Sequence, residues 1–364
     1  MSDVRSRRRL VAVVVAVVVV ALVAGAGLVM ALRPDLRVAL GVTPTVAYDN
    51  PVMDRDFPDP AVLPAPVDGW WYAYATQSVA ADGTDINIQV ARSRDLVTWE
   101  PPDDALPVKP TWASSTQDFW APHVIARDGR YVMYYSAAPD EGDGLCLAVA
   151  TATAPAGPYQ DVGAPLACGP SFVNIDPMAF PDPADGRWWL FWGSGFEPIR
   201  VRELAADGLG FAPGSAPTNV LEPDGYLEYE NLIEGAWVVA RDGYYYLFYA
   251  GDSCCVDPNY VVLVARSRAV AGPYEKLAAA RATESAAILE AAKPWEAPGH
   301  NAVVTDAAGQ DWLLYHAIDR EARFGAHENL VRKLLIDRLT WADGWPVVAG
   351  GIASDGPRSG PVAP

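Results

Sequence analysis

Positive charge is scarce in this chain. Its 364 residues carry 27 Lys and Arg against 45 Asp and Glu, which gives a formal net charge of −18 at pH 7. Four of the arginines, Arg5, Arg7, Arg8 and Arg9, stand at the N-terminus, so the remainder is more acidic still. A surface of this sign repels phosphate groups, which argues against nucleic acid or anionic lipid as a ligand.

The N-terminal arginines are followed by an uncharged run from Leu10 to Leu32. At about 1.5 Å per residue, a helix of this length crosses the apolar core of a bilayer. Residues 1–32 are therefore predicted to be a cytoplasmic basic flank and a transmembrane signal anchor, with the body outside. The alternative is a cleaved signal peptide, with Ala24-Gly25-Ala26 as a small-residue cleavage site. Under both interpretations the body of the protein is exported.

Cysteine and histidine are also few, with four of each, and no spacing between them indicates a zinc site. Disulfides persist outside the cytoplasm, and four cysteines allow three pairings. We favour a Cys146–Cys168 bridge. The adjacent Cys254 and Cys255 either form a vicinal disulfide or remain thiols.

Helical periodicity is almost absent between residues 50 and 351, and Leu277–Ala292 is the one stretch that could form a helix. What recurs instead is a glycine followed by a short aromatic strand, at Gly69, Gly129, Gly186, Gly243 and Gly309. A β-type repeat every 57 to 66 residues indicates a propeller. We predict an all-β fold, a five-bladed β-propeller over 50–351, preceded by a transmembrane helix and a 33–49 linker. Residues 352–364 are predicted to form a flexible tail.

Counting back nine or ten residues from each glycine locates one equivalent position per unit. The side chains found there are three carboxylates, an indole and an imidazole: Asp59, Asp176, Glu234, Trp120 and His300. Equivalent positions of radially arranged blades face one axis, so these side chains should converge on one pocket.

Three carboxylates in one pocket suit the hydrolysis of an acetal. One ionised group deprotonates water while a protonated one donates to the leaving oxygen. Crowding separates the pKa values of the acids, because like charges resist joint ionisation. An Asp-Pro pair alone would indicate only a turn or a strand entry. Three acids in register across the repeat favour a functional site.

The segments that carry these residues resemble glycoside hydrolase family 43, in the right order from residue 50 to about 350. They are Asn50-Pro51, Phe57-Pro58-Asp59-Pro60, Phe119-Trp120-Ala121-Pro122, Ile175-Asp176-Pro177, Glu234-Gly235, Pro298-Gly299-His300-Asn301 and Tyr315-His316-Ala317. The resemblance implies a five-bladed propeller and inverting hydrolysis of arabinose- or xylose-containing glycans. By motif, Asp59 matches the general base, Glu234 the general acid and Asp176 the acid that tunes pKa and orientation.

The resemblance implies further roles around the pocket. Trp120 resembles a tryptophan that packs against a sugar ring, and His300 an axial histidine near a bound Ca²⁺ ion. His316 is expected to line the lower channel. We also expect Phe57 and Asn174, which precede Asp59 and Asp176 in the same segments, to contact substrate.

Two positions depart from the family pattern. His123 stands where an acid is usual, and Trp237 follows Glu234-Gly235-Ala236. These changes bear on the shape of the sugar subsites more than on the chemistry.

The expected substrate is an arabinofuranose-containing oligo- or polysaccharide, because the stretch Gly251 to Cys255 resembles arabinan-directed members. Two alternatives remain open: a β-xylosidase of the same family and a non-catalytic glycan-binding propeller. A retaining, fructan-cleaving propeller is disfavoured, since its usual Arg-Asp-Pro and Glu-Cys patterns are missing.

Overall fold

The body is a ring of five antiparallel sheets, each built from one continuous segment of sequence. A computed structural model describes residues 45–326 and 328–364. The predicted all-β, five-bladed β-propeller is confirmed.

The strands run in chain order through the blades. Blade 1 contains β2 (Ala61–Val62), β3 (Trp71–Ala75), β6 (Gln89–Ser93) and β7 (Asp103–Asp104), and the hairpin β4 (Ser78–Val79) and β5 (Asp85–Ile86) lies between β3 and β6 in sequence. Blade 2 contains β8 (Phe119–Arg127), β9 (Arg130–Ala137), β10 (Leu145–Ala152), β11 (Gln160–Asp161) and β12 (Ala167–Gly169). Blade 3 contains β13 (Met178–Pro181), β14 (Trp188–Trp192), β15 (Ile199–Glu203) and β16 (Thr218–Leu221).

The last two blades follow the same order. Blade 4 contains β17 (Ile233–Arg241), β18 (Tyr244–Gly251), β19 (Val261–Ser267) and β20 (Glu275–Lys276). Blade 5 contains β21 (Trp295–Thr305), β22 (Asp311–Asp319), β23 (Lys333–Ala342) and β24 (Trp345–Val348). Outside the blades, β1 (Ala47–Tyr48) pairs with β25 (Arg358–Ser359). The helices are α1 (Leu277–Arg281) and two 3₁₀ turns, Thr111–Ala113 and Ala349–Gly351.

The glycines of the sequence repeat lie in the turn between the first and second strand of each blade. At Asp68-Gly69, Asp128-Gly129 and Asp242-Gly243 both residues have a positive φ, from 49° to 77°. Two successive positive φ angles define the hairpin turn whose twist matches that of the strands, and Asp-Gly adopts it readily. The repeat is therefore a hairpin signal.

The aromatic residues that follow these turns join neighbouring blades. Tyr74 of blade 1 donates a hydrogen bond to the carbonyl of Pro155 at 2.7 Å. Tyr134 of blade 2 donates to the carbonyl of Gly208, also at 2.7 Å. Each ring is buried, and each phenol donates to a carbonyl of the next blade, because a buried hydroxyl needs a hydrogen-bond partner.

The ring is closed by the N-terminal segment, which crosses blade 5 before it enters blade 1. The Asn50 side chain exchanges two hydrogen bonds of 3.0 Å with the backbone of Ile336 in β23. The C-terminal residues join this closure, because Val362 is buried and its amide donates to Asp306 at 3.0 Å. The tail thus differs from the flexible segment expected from its composition.

Two further features bear on the sequence predictions. The helix α1 covers only the start of Leu277–Ala292, because Ala282 is left-handed at φ 51° and Leu289 then bridges to Val262 in β19. The Cys146–Cys168 disulfide is confirmed, and Cys254 and Cys255 form a vicinal disulfide.

Within residues 45–326 and 328–364, no helix is both long and apolar enough to span a bilayer. The anchor predicted over Leu10–Leu32 lies outside the described residues.

Candidate active site

All three carboxylates in register across the repeat line one cavity of about 910 Å³ that is open to solvent. The cavity is bounded by connecting segments from every blade. They contribute Ser78 and Val79, Pro170 to Val173, Phe196 and Glu197, Asp252 to Val256, and Asn329 and Leu330. The three predicted catalytic residues therefore lie in one cavity.

A left-handed residue lies just before or within the first strand of every blade. The φ angles are 53° at Asp59, 44° at Ala121, 60° at Asp176, 64° at Gly235 and 45° at His300. Non-glycine residues rarely adopt such angles, and strained backbone of this kind is frequent at functional sites. Glu234 and Trp120, the site residues of blades 4 and 2, come directly before the left-handed residue.

Asp59 is a buried carboxylate held by one cation and one hydroxyl. Arg332 donates to Oδ1 at 2.8 Å and Thr76 donates to Oδ2 at 2.6 Å. Burial acts to raise the pKa of Asp59, but the Arg332 guanidinium is the strongest of the neighbours that oppose it, and the pKa falls well below its usual range. Burial holds His300 and His316 neutral by lowering their own pKa values. Arg332 is therefore the cation that keeps Asp59 ionised near neutral pH.

Asp176 has the opposite electrostatics. Burial raises its pKa well above the ordinary value, and the charges of Glu234 and Asp59 raise it further. Its Oδ2 accepts the backbone N–H of Gly235 at 2.9 Å, which places it against the segment that carries Glu234. Like charges resist joint ionisation, so Asp176 holds its proton beside Glu234 and Asp59.

Glu234 is held by two hydroxyls. Tyr260 donates to Oε1 at 2.6 Å and Ser194 donates to Oε2 at 2.5 Å. Burial, followed by the charge of Glu234, raises the pKa of the Tyr260 phenol well above its usual value, so this group remains a donor. Asp59 and Glu234 share no hydrogen-bond partner among the described residues.

The two axial histidines lie beside Asp59. His300 Nδ1 is 3.4 Å from Asp59 Oδ1 and 3.9 Å from Asp176 Oδ2. His316 is completely buried, and its Nδ1 accepts the amide N–H of Asp59 at 3.0 Å. Gly235 packs against His300, since a Cβ there would lie 3.3 Å from the imidazole.

The residues around His300 do not fit a calcium cage made of protein ligands. Ca²⁺ takes six to eight oxygens, but the near oxygens of Asp59 and Asp176 already accept hydrogen bonds from Arg332 and Gly235. In the part of the chain that the structure describes, no group of three or more His, Cys, Asp or Glu could hold a metal ion.

Trp120 lines the cavity as predicted for a sugar-packing residue. Its ring is stacked on Phe172, with centroids 6.1 Å apart and an interplanar angle of 18°. Phe172 is 48% exposed and also lines the cavity. It lies a few residues beyond Cys168, so the Cys146–Cys168 disulfide fixes the start of the segment that carries it.

Two residues predicted to contact substrate do not reach the cavity. Phe57 is 0% exposed and packs in the main hydrophobic core. Asn174 is buried, and its side-chain oxygen accepts the indole N–H of Trp192 at 3.2 Å. Each lies two residues before its acid, a spacing that places side chains on one face of a regular strand, but the left-handed backbone at Asp59 and Asp176 interrupts that alternation.

The two residues that depart from the family pattern, His123 and Trp237, contact each other. The rings of His123 and Trp237 meet edge to face with centroids 5.2 Å apart, and both residues are buried. Burial lowers the pKa of His123 to about 3, so it packs as a neutral ring. Neither residue lines the cavity.

Four residues that hold the acids were not identified from the sequence: Thr76, Ser194, Tyr260 and Arg332. Counting seven residues forward from Gly69, Gly129 and Gly309 gives Thr76, Ser136 and His316, so the repeat contained a signal for Thr76. Tyr260 and Arg332 each stand directly before the third strand of their blade, without a recurring residue type to mark them.

Comparison with known proteins gives one consistent result. The sequence model described as Glycosyl hydrolases family 43 matches residues 48–346. The Bacillus subtilis extracellular endo-alpha-(1->5)-L-arabinanase 1 is 28% identical over 289 residues, covering 76% of this chain and 83% of that protein. An extracellular exo-alpha-(1->5)-L-arabinofuranosidase of Cellvibrio japonicus is 27% identical, covering 76% and 82%. The crystal structure of an exo-1,5-alpha-L-arabinanase from a bovine ruminal metagenomic library superposes with a TM-score of 0.65 at 26% identity, covering 80% of this chain and 96% of that one.

Proposed function

The chain belongs to the glycosyl hydrolases of family 43 and is a glycosidase, and we propose that it cleaves arabinofuranose-containing glycans of the arabinan class. The proposed substrate class is supported by relatives that are named as arabinan-cleaving enzymes, one endo-acting and one exo-acting. The family inverts configuration at the anomeric carbon, so water attacks on the face opposite to the leaving group.

We assign the general base to Asp59. The Arg332 ion pair keeps this carboxylate ionised, and its opening to the cavity lets it accept a proton from water. The Arg332 guanidinium would also stabilise the charge of the carboxylate before the proton arrives.

We assign the general acid to Glu234 and the modulating role to Asp176. In this assignment Glu234 delivers a proton to the glycosidic oxygen, and Asp176, which holds its own proton at the same site, limits the negative charge that builds up there. The Tyr260 and Ser194 hydroxyls hold both oxygens of Glu234 and accommodate either protonation state. A hydroxyl can donate to a carboxylate or accept from a carboxylic acid.

One observation carries this assignment. Carboxyl groups from blades 1, 3 and 4 line the same cavity, and among the described residues Asp59 alone of the three pairs with an arginine. One acid is thereby favoured in its ionised form, while Asp176 holds a proton beside Glu234. That is the distribution that an inverting glycosidase needs.

We further propose that the propeller works outside the cytoplasm, as an extracytoplasmic enzyme. Two of the relatives are named as extracellular proteins. The uncharged run Leu10–Leu32 would serve as the signal anchor or as the signal peptide.

The decisive experiment is hydrolysis of a substrate panel by the full-length protein, with proton NMR of the first-formed sugar. The panel contains linear arabinan, arabino-oligosaccharides, an aryl arabinofuranoside and an aryl β-xyloside. The expected result is cleavage of the arabinosides with inversion. Retained configuration would refute the mechanism, and a preference for the xyloside would favour the β-xylosidase.

Asp59→Asn and Glu234→Gln test the site within the same panel. Asn adopts left-handed backbone as readily as Asp, so Asp59→Asn removes the charge with little backbone cost. Losses of about 10²- to 10⁴-fold in kcat are expected. Glycan binding without any hydrolysis by the parent would favour the non-catalytic glycan-binding propeller.

A further inference from the structure

The vicinal disulfide is part of the cavity wall. Cys254, Cys255 and Val256 all line the cavity that contains the three acids. Cys255 is exposed, and Val256 is 78% exposed. An exposed valine beside a disulfide presents apolar surface to whatever occupies this part of the cavity.

The loop that carries the disulfide, residues 252–259, is fixed by its own hydrogen bonds. The amide of Asp252 donates to the Leu232 carbonyl at 2.9 Å, and the amide of Asn259 donates to the Ser253 carbonyl at 2.9 Å. The Asn259 side chain also donates to Asp252 Oδ2 at 2.8 Å, and Ser253 Oγ donates to the Val256 carbonyl. A wall ordered in this way loses little conformational entropy when a ligand binds.

Both ends of this loop are attached beside Glu234. Leu232 lies two residues before Glu234 in the sequence, and Tyr260, which follows the loop directly, donates to Glu234 Oε1. The surface of the loop therefore continues the cavity wall outward from Glu234. A general acid protonates the oxygen of the leaving group, so the wall beyond it faces that group.

Stabilisation of the fold does not account for this bond. In the chain-entropy description, the stabilisation of the fold by a disulfide grows with the logarithm of the number of residues in the loop that the disulfide closes. Cys254 and Cys255 are adjacent, with a sequence separation of 1, whereas Cys146 and Cys168 are separated by 22. What the vicinal bond does is to present two sulfur atoms at the cavity surface without a thiol that could donate a hydrogen bond.

We propose that the Cys254–Cys255 disulfide and Val256 form the contact surface for the leaving-group sugar of an arabino-oligosaccharide. This proposal rests on the proposed function of the site. Polarizable sulfur and the valine methyl groups contact the C–H face of a furanose, and the stacked rings of Trp120 and Phe172 also line this cavity. The loop thereby selects substrates whose leaving group is a sugar.

The test compares two substrates that carry different leaving groups. Cleavage of linear arabinohexaose releases a sugar as the leaving group. Cleavage of a glycosyl fluoride releases fluoride; the fluoride of arabinofuranose or of arabinotriose is used, whichever the parent hydrolyses. In the full-length protein, Cys254→Ser/Cys255→Ser is expected to lower kcat/KM on arabinohexaose about tenfold, chiefly through KM. Hydrolysis of the fluoride is expected to stay within about twofold of the parent.

Two single variants accompany the double variant. Val256→Thr keeps the shape of the side chain and the backbone hydrogen bonds of the loop, so it decides the question if the double variant does not fold. A two- to fivefold loss on arabinohexaose alone is expected from it, as about one methyl contact is lost. Asp257→Asn is the matched control, because Asp257 is exposed in the same loop and does not line the cavity.

Each other outcome overturns the proposal in a recognisable way. An equal loss on both substrates means that the loop acts on the fold or on the part of the cavity common to both, and does not touch the leaving group. A loss on arabinohexaose that lies in kcat, with KM unchanged, means that the loop acts through Glu234, because fluoride leaves without a proton from a general acid. Unchanged kcat/KM on arabinohexaose means that the disulfide does not contact the substrate. A parent protein that hydrolyses no arabinoside refutes the proposed function, and with it the basis of this proposal.

Discussion

Tyr260 donates a hydrogen bond to Glu234 Oε1 at 2.6 Å while its ring lies parallel to the imidazole of His316, with centroids 5.6 Å apart and an interplanar angle of 9°. His316 in turn accepts the amide N–H of Asp59. A buried line of contact thus connects the proposed general acid with the proposed general base. Tyr260 is a positioning residue in this arrangement.

Tyr260→Phe should therefore impair catalysis without emptying the core. The ring and its stacking on His316 remain, but Glu234 loses one of its two hydroxyl partners. A hydrogen bond to a carboxyl group contributes about 1.5–3 kcal/mol, so kcat is expected to fall at least about tenfold with little change in KM. Tyr246→Phe is the control, because its hydroxyl bonds only the carbonyl of Gly344 away from the cavity. Equal kcat for the two variants would contradict the positioning role.

The Arg332–Asp59 pair should set the acidic limb of the pH profile. The guanidinium holds the pKa of Asp59 below its usual range against the effect of burial, so the base stays ionised and active as the pH falls. Without it, burial raises that pKa, and Arg332→Gln should move the acidic limb of kcat/KM to higher pH by at least about one unit. Arg320→Gln is the control, since Arg320 pairs with Glu296 outside the cavity. An unmoved acidic limb would show that Asp59 is not the base.

Asp176→Asn should lower activity and raise stability together. Burial and the neighbouring charges raise the folded-state pKa of Asp176, while the unfolded chain titrates near 3.9. The stability that this proton provides is complete below that value and is lost as pH rises through the folded-state pKa. Asn cannot ionise, so the variant does not lose this stability as the pH rises. Its Tm at pH 7 should therefore rise by about 2 °C or more, and its stability should vary less between pH 4 and 7. The expected loss in kcat is about 10²-fold.

The matching control for Asp176→Asn is Asp257→Asn, because both aspartates have left-handed backbone and only Asp176 is buried. This exposed site should leave Tm and kcat unchanged. A lower Tm for Asp176→Asn at pH 7 would mean that its carboxylate stabilises the fold, contrary to its raised pKa.

The two disulfides should differ in their effect on folding. Cys146 and Cys168 are 22 residues apart, and closing a loop of that size contributes about 3 kcal/mol to the free energy of unfolding. Cys146→Ser/Cys168→Ser should therefore lower that free energy by about 3 kcal/mol in denaturant titrations. Cys254→Ser/Cys255→Ser should change it by less than about 1 kcal/mol, because adjacent residues enclose no loop. Comparable losses would show that the vicinal bond is a fold stabiliser.

The prediction of the fold depended on local signals that repeat. An Asp-Gly hairpin turn and an aromatic strand are encoded within about ten residues, and each recurrence strengthens the inference of a blade. The residues 352–364 carried no such signal. Their order comes from pairing with Ala47–Tyr48, about 300 residues earlier, which no local pattern reports.

The same distinction applies to the predicted site. Asp59, Asp176 and Glu234 were found because they hold one position in the repeat. Phe57 was expected at the cavity because it lies two residues before Asp59, but the left-handed backbone at Asp59 interrupts the alternation of an extended segment, and Phe57 lies in the core. Arg332 was missed because it reaches Asp59 from a loop of blade 5, 273 residues away.

The sequence by itself determined the number of blades and the three acids that face the axis, since both follow from short patterns repeated at a fixed interval. The tertiary structure decided how these acids differ in protonation. Arg332, Tyr260 and Ser194 come from segments of different blades, and ring closure brings Arg332 to Asp59. The pKa of a buried carboxyl depends on charges within a few ångströms, so only the closed ring could fix which acid is ionised.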